Sequence, residues 1–331
     1  MSRNAMRWDG SPGHYEVWYL TLTDPASGVG VWIRLTLLAP LDGEATCALW
    51  LAAMDPAGGG VVARKATHPI SALAARDDPF RVTIAGAHLD DHGTAGRLDD
   101  VAWDLRWAPG RPYDHVHPLL RRARVARTVL TLPHGDVAVR GTVELPGGRR
   151  LEVDGARGGQ AHLHGSKHAS CWAWVHAGDL VDADGAPVAD TFLDGVSVVL
   201  PRLGRDRGPS TPVVGRFLGE DFASTSPARV VANRSHFGLV GWELEAVDGP
   251  RRVIAHVAAD RDLLAGVTYH DPDGERVYCY NSEVASIHLS VLDRARRPRP
   301  GWILRQALTG EGRAHFEYAQ REPVPGLDLL V

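Results

Sequence analysis

The chain has 331 residues, 44% of them hydrophobic, so it is long enough for two domains and can bury a sizeable core. Its 36 basic and 40 acidic residues give a formal net charge of -4, which argues against a nucleic-acid-binding protein. Three scattered cysteines without a C-x-x-C pair argue against a disulfide framework and a cysteine zinc site. The first residues form no secretory apolar run, and no apolar run could cross a bilayer, so we expect a cytoplasmic protein.

Short apolar or alternating runs, separated by turn residues, recur along the chain. Hairpins are predicted where two such runs flank a turn rich in Gly, Pro or Asp: residues 15–21 with 31–36, 137–145 with 150–153, and 267–270 with 276–280. A further turn is predicted at 133–136, where Pro, Gly and Asp cluster. Spacing of this kind indicates an antiparallel sandwich or barrel.

The first hairpin carries charged residues among its apolar ones. Alternation places Glu16 and Trp18 on one face of the first strand, and Trp32 and Arg34 on one face of the second. If these faces meet inside a barrel, Glu16 and Arg34 form a buried ion pair. Such a pair is either a structural salt bridge or the setting for a carboxyl group whose raised pKa makes it an acid.

Helical patterns are scarce in this sequence. Residues 68–76 and 118–127 are the only segments for which we predict short helices, and either could instead be irregular loop. The stretch 202–212 is rich in Arg, Gly and Pro, which is typical of an interdomain linker or of a long loop at a barrel mouth.

The segment 160–176 has the strongest period-two pattern in the chain. Read as one strand, it collects polar and aromatic side chains on a single face: Gln160, His162, His164, Ser166, His168, Ser170, Trp172, Trp174 and His176. Imidazoles can act as acid or base near neutral pH, and indole faces can stabilise a cation. The face therefore indicates the lining of a ligand cavity, or alternatively a polar barrel interior or a solvated sheet face.

Two H-x-H pairs raise the question of a metal. His162 and His164 point the same way on a strand, as metal ligands can, and His115 with His117 forms a second such pair. No acidic or cysteine partner lies close in sequence to the first pair, and a proline follows the second. We therefore predict no metal and no cofactor.

A resemblance to a known family rests on the order of several motifs. Residues 16–19 (EVWY) resemble the E-W-W-Y motif of the carotenoid 1,2-hydratase (hydroxyneurosporene synthase) family. Residues 139–143, 150–155, 159–165 and 172–174 then resemble, in the same order, that family's V-x-G-T strand, its next strand, its D-H-x-W-G motif and its W-x-W strand. The order spans about half of the chain.

The resemblance implies an all-β fold of two tandem lipocalin-like antiparallel β-barrels with few short helices, covering residues 1–167 and 168–331. Its superfamily includes tocopherol-cyclase-like enzymes and decalin-forming Diels–Alderases, which hold a large apolar ligand in or between the barrels. Ala161 and His164 stand where the hydratases have Asp and Trp. Because histidine is a poor substitute for the strong acid that protonates an isolated alkene, this departure argues against carotenoid hydration.

Two functions remain open from the sequence. The first is an enzyme of the cyclase or hydratase type that acts on a hydrophobic small molecule such as an isoprenoid or polyketide, with His162, His164 and Glu16 moving the proton. The second is a non-catalytic carrier of a lipid-like ligand. In either case the residues expected to contact the ligand are Trp18, Tyr19, Trp32, Arg34, His168, Trp172, Trp174 and His176.

Overall fold

The computed structural model describes residues 2–122, 127–202, 205–295 and 301–331. In these residues the chain forms two large antiparallel sheets, one after the other in sequence. The α-helices found there are short: α1 (Pro118–Arg122) and α2 (Pro227–Ala232). No helix in the described ranges has the length and apolar character needed to span a membrane.

The first sheet has the order β4-β3-β2-β1-β12-β11-β9-β8-β7-β6-β5, with β10 paired to β11. It curls around one apolar core, to which Trp18, Leu51, Val82 and Trp103 contribute from distant strands. Its strands are β1 (His14–Thr23), β2 (Gly30–Ala39), β3 (Thr46–Asp55), β4 (Gly60–Pro69), β5 (Leu73–Asp77), β6 (Phe80–Ile84), β7 (Ala87–Asp90), β8 (Gly93–Leu98), β9 (Val101–Arg106), β10 (Tyr113–Asp114), β11 (Thr128–Leu145) and β12 (Arg149–Gly165).

The second sheet has the order β17-β16-β14-β13-β23-β22-β20-β19-β18, with β15 paired to β14 and β21 to β22. It encloses a second core that includes Val175, Phe217, Trp242 and Phe316. Its strands are β13 (Cys171–Ala177), β14 (Phe192–Arg202), β15 (Arg205–Ser210), β16 (Val213–Phe217), β17 (Glu220–Ser224), β18 (Arg234–Gly238), β19 (Gly241–Asp248), β20 (Arg251–Ala258), β21 (Ala265–His270), β22 (Arg276–Arg294) and β23 (Trp302–Gln320).

The all-β prediction is confirmed, and the three predicted hairpins form as β1–β2, β11–β12 and β21–β22. The turn predicted at 133–136 is wrong, because β11 continues through it. The ladder between β11 and β12 shifts register on both sides of His134, so the Pro and Gly there produce bulges within one long strand.

Two other sequence predictions need correction. Residues 68–76 form the end of β4, a single 3-10 turn (Ile70–Ala72) and most of β5, and not a helix. The stretch 202–212 is not a linker, since β14 and β15 pair there within the second sheet; residues 203–204 lie outside the described ranges. The helix predicted at 118–127 begins at Pro118 and is described as far as Arg122.

The segment 160–176 is divided between the two sheets, so the single continuous face predicted for it is wrong. Strand β12, the last strand of the first sheet in sequence, ends at Gly165. Strand β13, the first strand of the second sheet in sequence, begins at Cys171. The predicted domain boundary between residues 167 and 168 lies in the segment that connects β12 to β13. Whether each side folds as a domain of its own stays a prediction.

The outer faces of the two sheets pack on each other through a third apolar cluster. It includes Tyr19, Trp50, Trp174, Tyr269 and Ala319, all buried. The strands that meet there are β1 to β4 and β10 to β12 of the first sheet and β13, β14, β16 and β21 to β23 of the second. This interface positions most of the residues that the sequence singled out.

Candidate functional site

Glu16, Trp18, His162 and His164 all face the interior of the first barrel. Pairing of β1 with β12 sets Glu16 opposite His164 and Trp18 opposite His162, and residues opposite each other share a face. The rings of Trp18 and His162 stack with their centroids 5.1 Å apart. The sequence-predicted catalytic residues are therefore brought together.

Arg34 faces the opposite side of the sheet from Glu16. The register of β1 and β2 places Arg34 opposite Tyr19, and Glu16 opposite Leu37. The buried ion pair predicted between Glu16 and Arg34 is therefore wrong. Strand partners share a face, and here each even-numbered residue of β1 pairs with an odd-numbered residue of β2. Glu16 and Arg34, both even-numbered, therefore face opposite sides, and the sequence alone did not determine this register.

Glu16 is fully buried and accepts hydrogen bonds from several donors. The backbone N–H groups of Arg7 and Trp8 lie 2.8 and 3.0 Å from its oxygens, and the Nε2 atoms of His14 and His162 lie 3.1 and 2.7 Å away. Burial, the largest effect, raises the pKa of the Glu16 carboxyl, but hydrogen bonds from His14, His162 and the Arg7 backbone help lower that pKa to about 2. Glu16 is thus an ionised carboxylate near neutral pH and a poor proton donor.

The same residues bind the N-terminal segment, residues 3–8. The Nδ1 of His162 lies 2.6 Å from the carbonyl oxygen of Arg3, and the Trp18 indole donates to the carbonyl oxygen of Asn4 over 2.8 Å. Because His162 also faces the Glu16 carboxylate, both of its nitrogens meet acceptors, and neither is left to meet a substrate. That Glu16, His162 and His164 move a proton in catalysis stays a prediction.

A cavity of about 270 Å³ lies at the interface between the two barrels. We call it the interface cavity, and its polar and aromatic wall consists of Arg34, Trp50, Lys65, His168, Tyr269 and His270. Tyr15 and apolar or hydroxyl-bearing side chains of β1 to β4 complete much of the rest. No Asp or Glu is found among the described residues that line it.

Strand register explains why this wall forms. Cross-strand pairs put Tyr19, Arg34, Trp50 and Lys65 in one row across β1, β2, β3 and β4. The Arg34 Cζ lies 4.7 Å from the centroid of the Trp32 ring, and the Lys65 Nζ lies 3.9 Å from the centroid of the Trp50 ring. Rings within this range attract a cation, so the row holds two cations against aromatic faces.

His168 lies on the connection between the barrels and also lines the cavity. Its Nδ1 is 2.6 Å from Asp271 Oδ1, and its ring stacks on Tyr15 with centroids 4.1 Å apart. Burial, the largest effect, raises the pKa of Asp271, but the hydrogen bond from His168 helps lower it to about 2. Asp271 therefore accepts the Nδ1 proton, and burial, which lowers the pKa of His168, favours a neutral ring with a basic Nε2.

The remaining predicted ligand residues do not line the cavity, and Trp18 lies in the core of the first barrel. Tyr19 and Trp32 contact the Arg34 guanidinium from neighbouring strands. Three further predicted ligand residues form hydrogen bonds with carboxylates: Trp172 with Glu317, and Trp174 and His176 with Asp194. Of the ligand residues predicted from sequence, the cavity brings together Arg34 and His168.

Sequence reasoning missed Tyr15, Trp50, Lys65, Tyr269 and Asp271. A signal existed for two of them, because reading the β2, β3 and β4 hairpins in register places Trp50 and Lys65 beside Arg34. Tyr269 and Asp271 come from the second barrel, more than a hundred residues further along the chain from His168 or Arg34. No local pattern could have placed Tyr269 in this wall or Asp271 beside His168.

One group of carboxylates in the described ranges has the spacing of metal ligands. Asp271, Asp273 and Glu275 each offer an oxygen, and these atoms lie within 4.8 Å of one another. Lys167 pairs with Asp273 and Glu275, and Arg321 donates to Asp271 over 2.7 Å. These cations account for the cluster as an ion-pair network beside His168, with Asp271 buried and the other two carboxylates exposed.

The architecture is shared with solved structures of very different sequence. Kievitone hydratase from Nectria haematococca superposes with a TM-score of 0.51 at 9% identity, covering 94% of this chain and 89% of that one. CghA with Sch210972 superposes with a TM-score of 0.58 at 11% identity, covering 93% and 88%. The chain thus shares its all-β, two-barrel fold with these proteins, as the sequence analysis predicted for the fold.

A closer relationship exists at the level of sequence. The uncharacterized protein Rv0493c of Mycobacterium tuberculosis is 31% identical over 291 residues, which cover 86% of this chain and 83% of that protein. The uncharacterized protein MT0513 of another strain matches equally. This chain belongs to the same family as these mycobacterial proteins. No model of a described protein family matches it.

Proposed function

We propose that the protein is an enzyme that acts on a hydrophobic small molecule, by hydration or cyclisation, in the interface cavity. The observation that carries the proposal is that His168 lines a largely apolar cavity while its Nδ1 atom is bound by Asp271, which lies outside the wall. Kievitone hydratase has the same fold, and its name supports the reaction class. An isoprenoid or polyketide substrate and a cytoplasmic location stay predictions from the sequence.

In the proposed mechanism, His168 moves the proton. Asp271 fixes the ring orientation by accepting from the Nδ1–H and from the backbone N–H of His168, over 2.6 and 2.8 Å. The Nε2 atom of the neutral ring then takes a proton from the substrate or from an attacking water and returns it at the adjoining position. Tyr15, stacked on the ring, restricts its rotation, and the apolar wall excludes bulk water.

The test is to incubate the protein with apolar metabolites extracted from the source organism and to follow consumption and product formation by mass spectrometry. His168→Gln should abolish turnover while the protein stays folded, because glutamine cannot shuttle a proton. His256→Gln is the matched control, since His256 is exposed on β20 far along the second sheet, and it should leave turnover unchanged.

Two other outcomes would overturn parts of the proposal. Turnover that survives in His168→Gln and disappears in the double variant His162→Ala and His164→Ala would place the chemistry in the first barrel. Binding of a metabolite without any product over long incubation would favour the carrier, for which a largely apolar cavity with a few polar groups is equally suited.

A further inference from the structure

Arg34 is a charged residue that is buried without a counter-ion. It is 5% exposed, yet it takes part in no ion pair within 4.0 Å and in no hydrogen bond among the described residues. Its Nε and Nη1 atoms are buried and find no acceptor. Buried polar groups are almost always satisfied, so these donors indicate a missing acceptor.

The groups around Arg34 do not supply an anion in contact with its guanidinium. Burial holds the pKa of the Tyr269 phenol and of the Cys279 thiol well above their usual values, so both groups are neutral. Glu317 favours the charged form of Arg34 from a distance, but it makes no ion pair with the guanidinium and receives the indole N–H of Trp172. The guanidinium therefore lies beside the cavity without an ion-pair partner and with two unsatisfied N–H groups.

The positive charges in this wall help lower the pKa values of several basic side chains around the cavity. Burial, and then the charge of Arg34, lowers the pKa of Lys65. Arg34 also adds to the fall in the pKa of His168, and Lys65 to that of His270, in both cases after burial. An anion in the cavity would relieve the repulsion between these groups.

We propose that the interface cavity binds the carboxylate of a hydrophobic acid, with Arg34 as its principal partner and Lys65 as a second cation. A carboxylate is favoured because its two oxygens can accept parallel N–H bonds from an edge of a guanidinium. The apolar body of the ligand would lie against Trp50 and the aliphatic side chains of β1 to β3. This inference rests on the proposed location of the substrate and adds its chemical class.

The test compares two probes of nearly equal shape, 2-naphthoate and the neutral 2-naphthylmethanol, by isothermal titration calorimetry on the full chain. Native protein should bind the acid at least about tenfold more tightly, as expected for hydrogen bonds to a charged group. Arg34→Gln should remove that preference and change the affinity for the alcohol by less than about twofold. Arg34→Lys should restore part of the preference.

Arg140→Gln is the matched control, because Arg140 is an exposed arginine on β11, and it should leave both affinities unchanged. If Arg34→Gln fails to fold, Lys65→Gln provides a second test. This variant should lower the affinity for 2-naphthoate by only a few-fold. Equal affinity of native protein for both probes, or no binding of 2-naphthoate, would overturn the inference. An acid preference that depends on Arg34 in a protein without turnover would retain the inference and refute the enzyme. Turnover of a neutral substrate at an unchanged rate in Arg34→Gln would refute the inference and retain the proposed enzyme.

Discussion

At the scale of single residues, Glu16 and Arg34 show how neighbouring strands can hold opposite charges for different purposes. Glu16 is surrounded by donors that include two backbone N–H groups and two imidazoles. Arg34 is surrounded by rings and lacks an acceptor. A buried charge that is fully hydrogen-bonded stabilises the fold, whereas one without a partner suggests a ligand.

Glu16→Gln should lower the free energy of unfolding by about 3 kcal/mol at pH 7, the equivalent of a pKa depressed from 4.5 to about 2. Because the folded-state pKa lies below the unfolded value, the contribution is complete above pH 4.5 and is lost as the pH falls toward 2. Urea unfolding at pH 7 and pH 3 measures both effects, and the difference from native protein should shrink at pH 3.

The control for this variant is Glu243→Gln on the exposed face of β19, which should change the free energy of unfolding by less than about 0.5 kcal/mol. If the effect of Glu16→Gln is the same at both pH values, its origin is packing and not the charge of the carboxylate.

At the scale of strands, the start of β2 lies very close to the backbone of β22 in the other barrel. A Cβ placed on Gly30 would lie 2.4 Å from the carbonyl oxygen of Glu283 on β22, far inside van der Waals contact. Thr23 donates to that same oxygen over 2.7 Å. The two strands therefore fit only with glycine at residue 30.

Gly30→Ala should destabilise the protein by about 1–3 kcal/mol, because the added methyl group forces backbone atoms of β2 and β22 apart. Thermal unfolding followed by circular dichroism would show the lowered midpoint. Gly238→Ala is the matched control, since a Cβ at this strand residue meets nothing within 4 Å. Similar midpoints for the two variants would mean that the barrels can separate slightly at little cost.

Local patterns predicted the strands better than they predicted their faces. The hairpins of β1–β2, β11–β12 and β21–β22 follow from alternation and turn residues, which act between near neighbours in sequence. Which side of a strand faces the core depends on register and on the other barrel. Hence His162 and Trp172, which share parity in sequence, point into different environments, and the interface cavity joins residues 34 and 269 that no periodic pattern connects.

At the scale of the whole molecule, the apolar interface makes the barrels depend on each other. Its buried members include Trp50 and Tyr19 from the first barrel and Trp174, Tyr269 and Phe192 from the second. Separating the barrels would expose these aromatic side chains to water, and interfaces of this character resemble a domain core. A hydrogen-bonded group of Thr21, Glu283 and His315 also crosses the interface.

We expect the chain to unfold in one cooperative transition. Heating followed by circular dichroism and by tryptophan fluorescence should give coincident curves, with equal calorimetric and van't Hoff enthalpies. Residues 168–331 expressed alone should aggregate, because their face of the interface would be exposed. Two resolved transitions, or a well-folded isolated half, would contradict this and would favour two independent domains.

The way in which the N-terminal segment is bound has a consequence for evolution. Glu16 and His162 hold that segment through the backbone atoms of Arg7, Trp8 and Arg3. Since every residue type except proline offers the same amide and carbonyl groups, most mutations can replace those three side chains without losing these bonds. Among diverging relatives, selection on this contact should preserve the carboxylate and the imidazole while the sequence of the bound segment drifts.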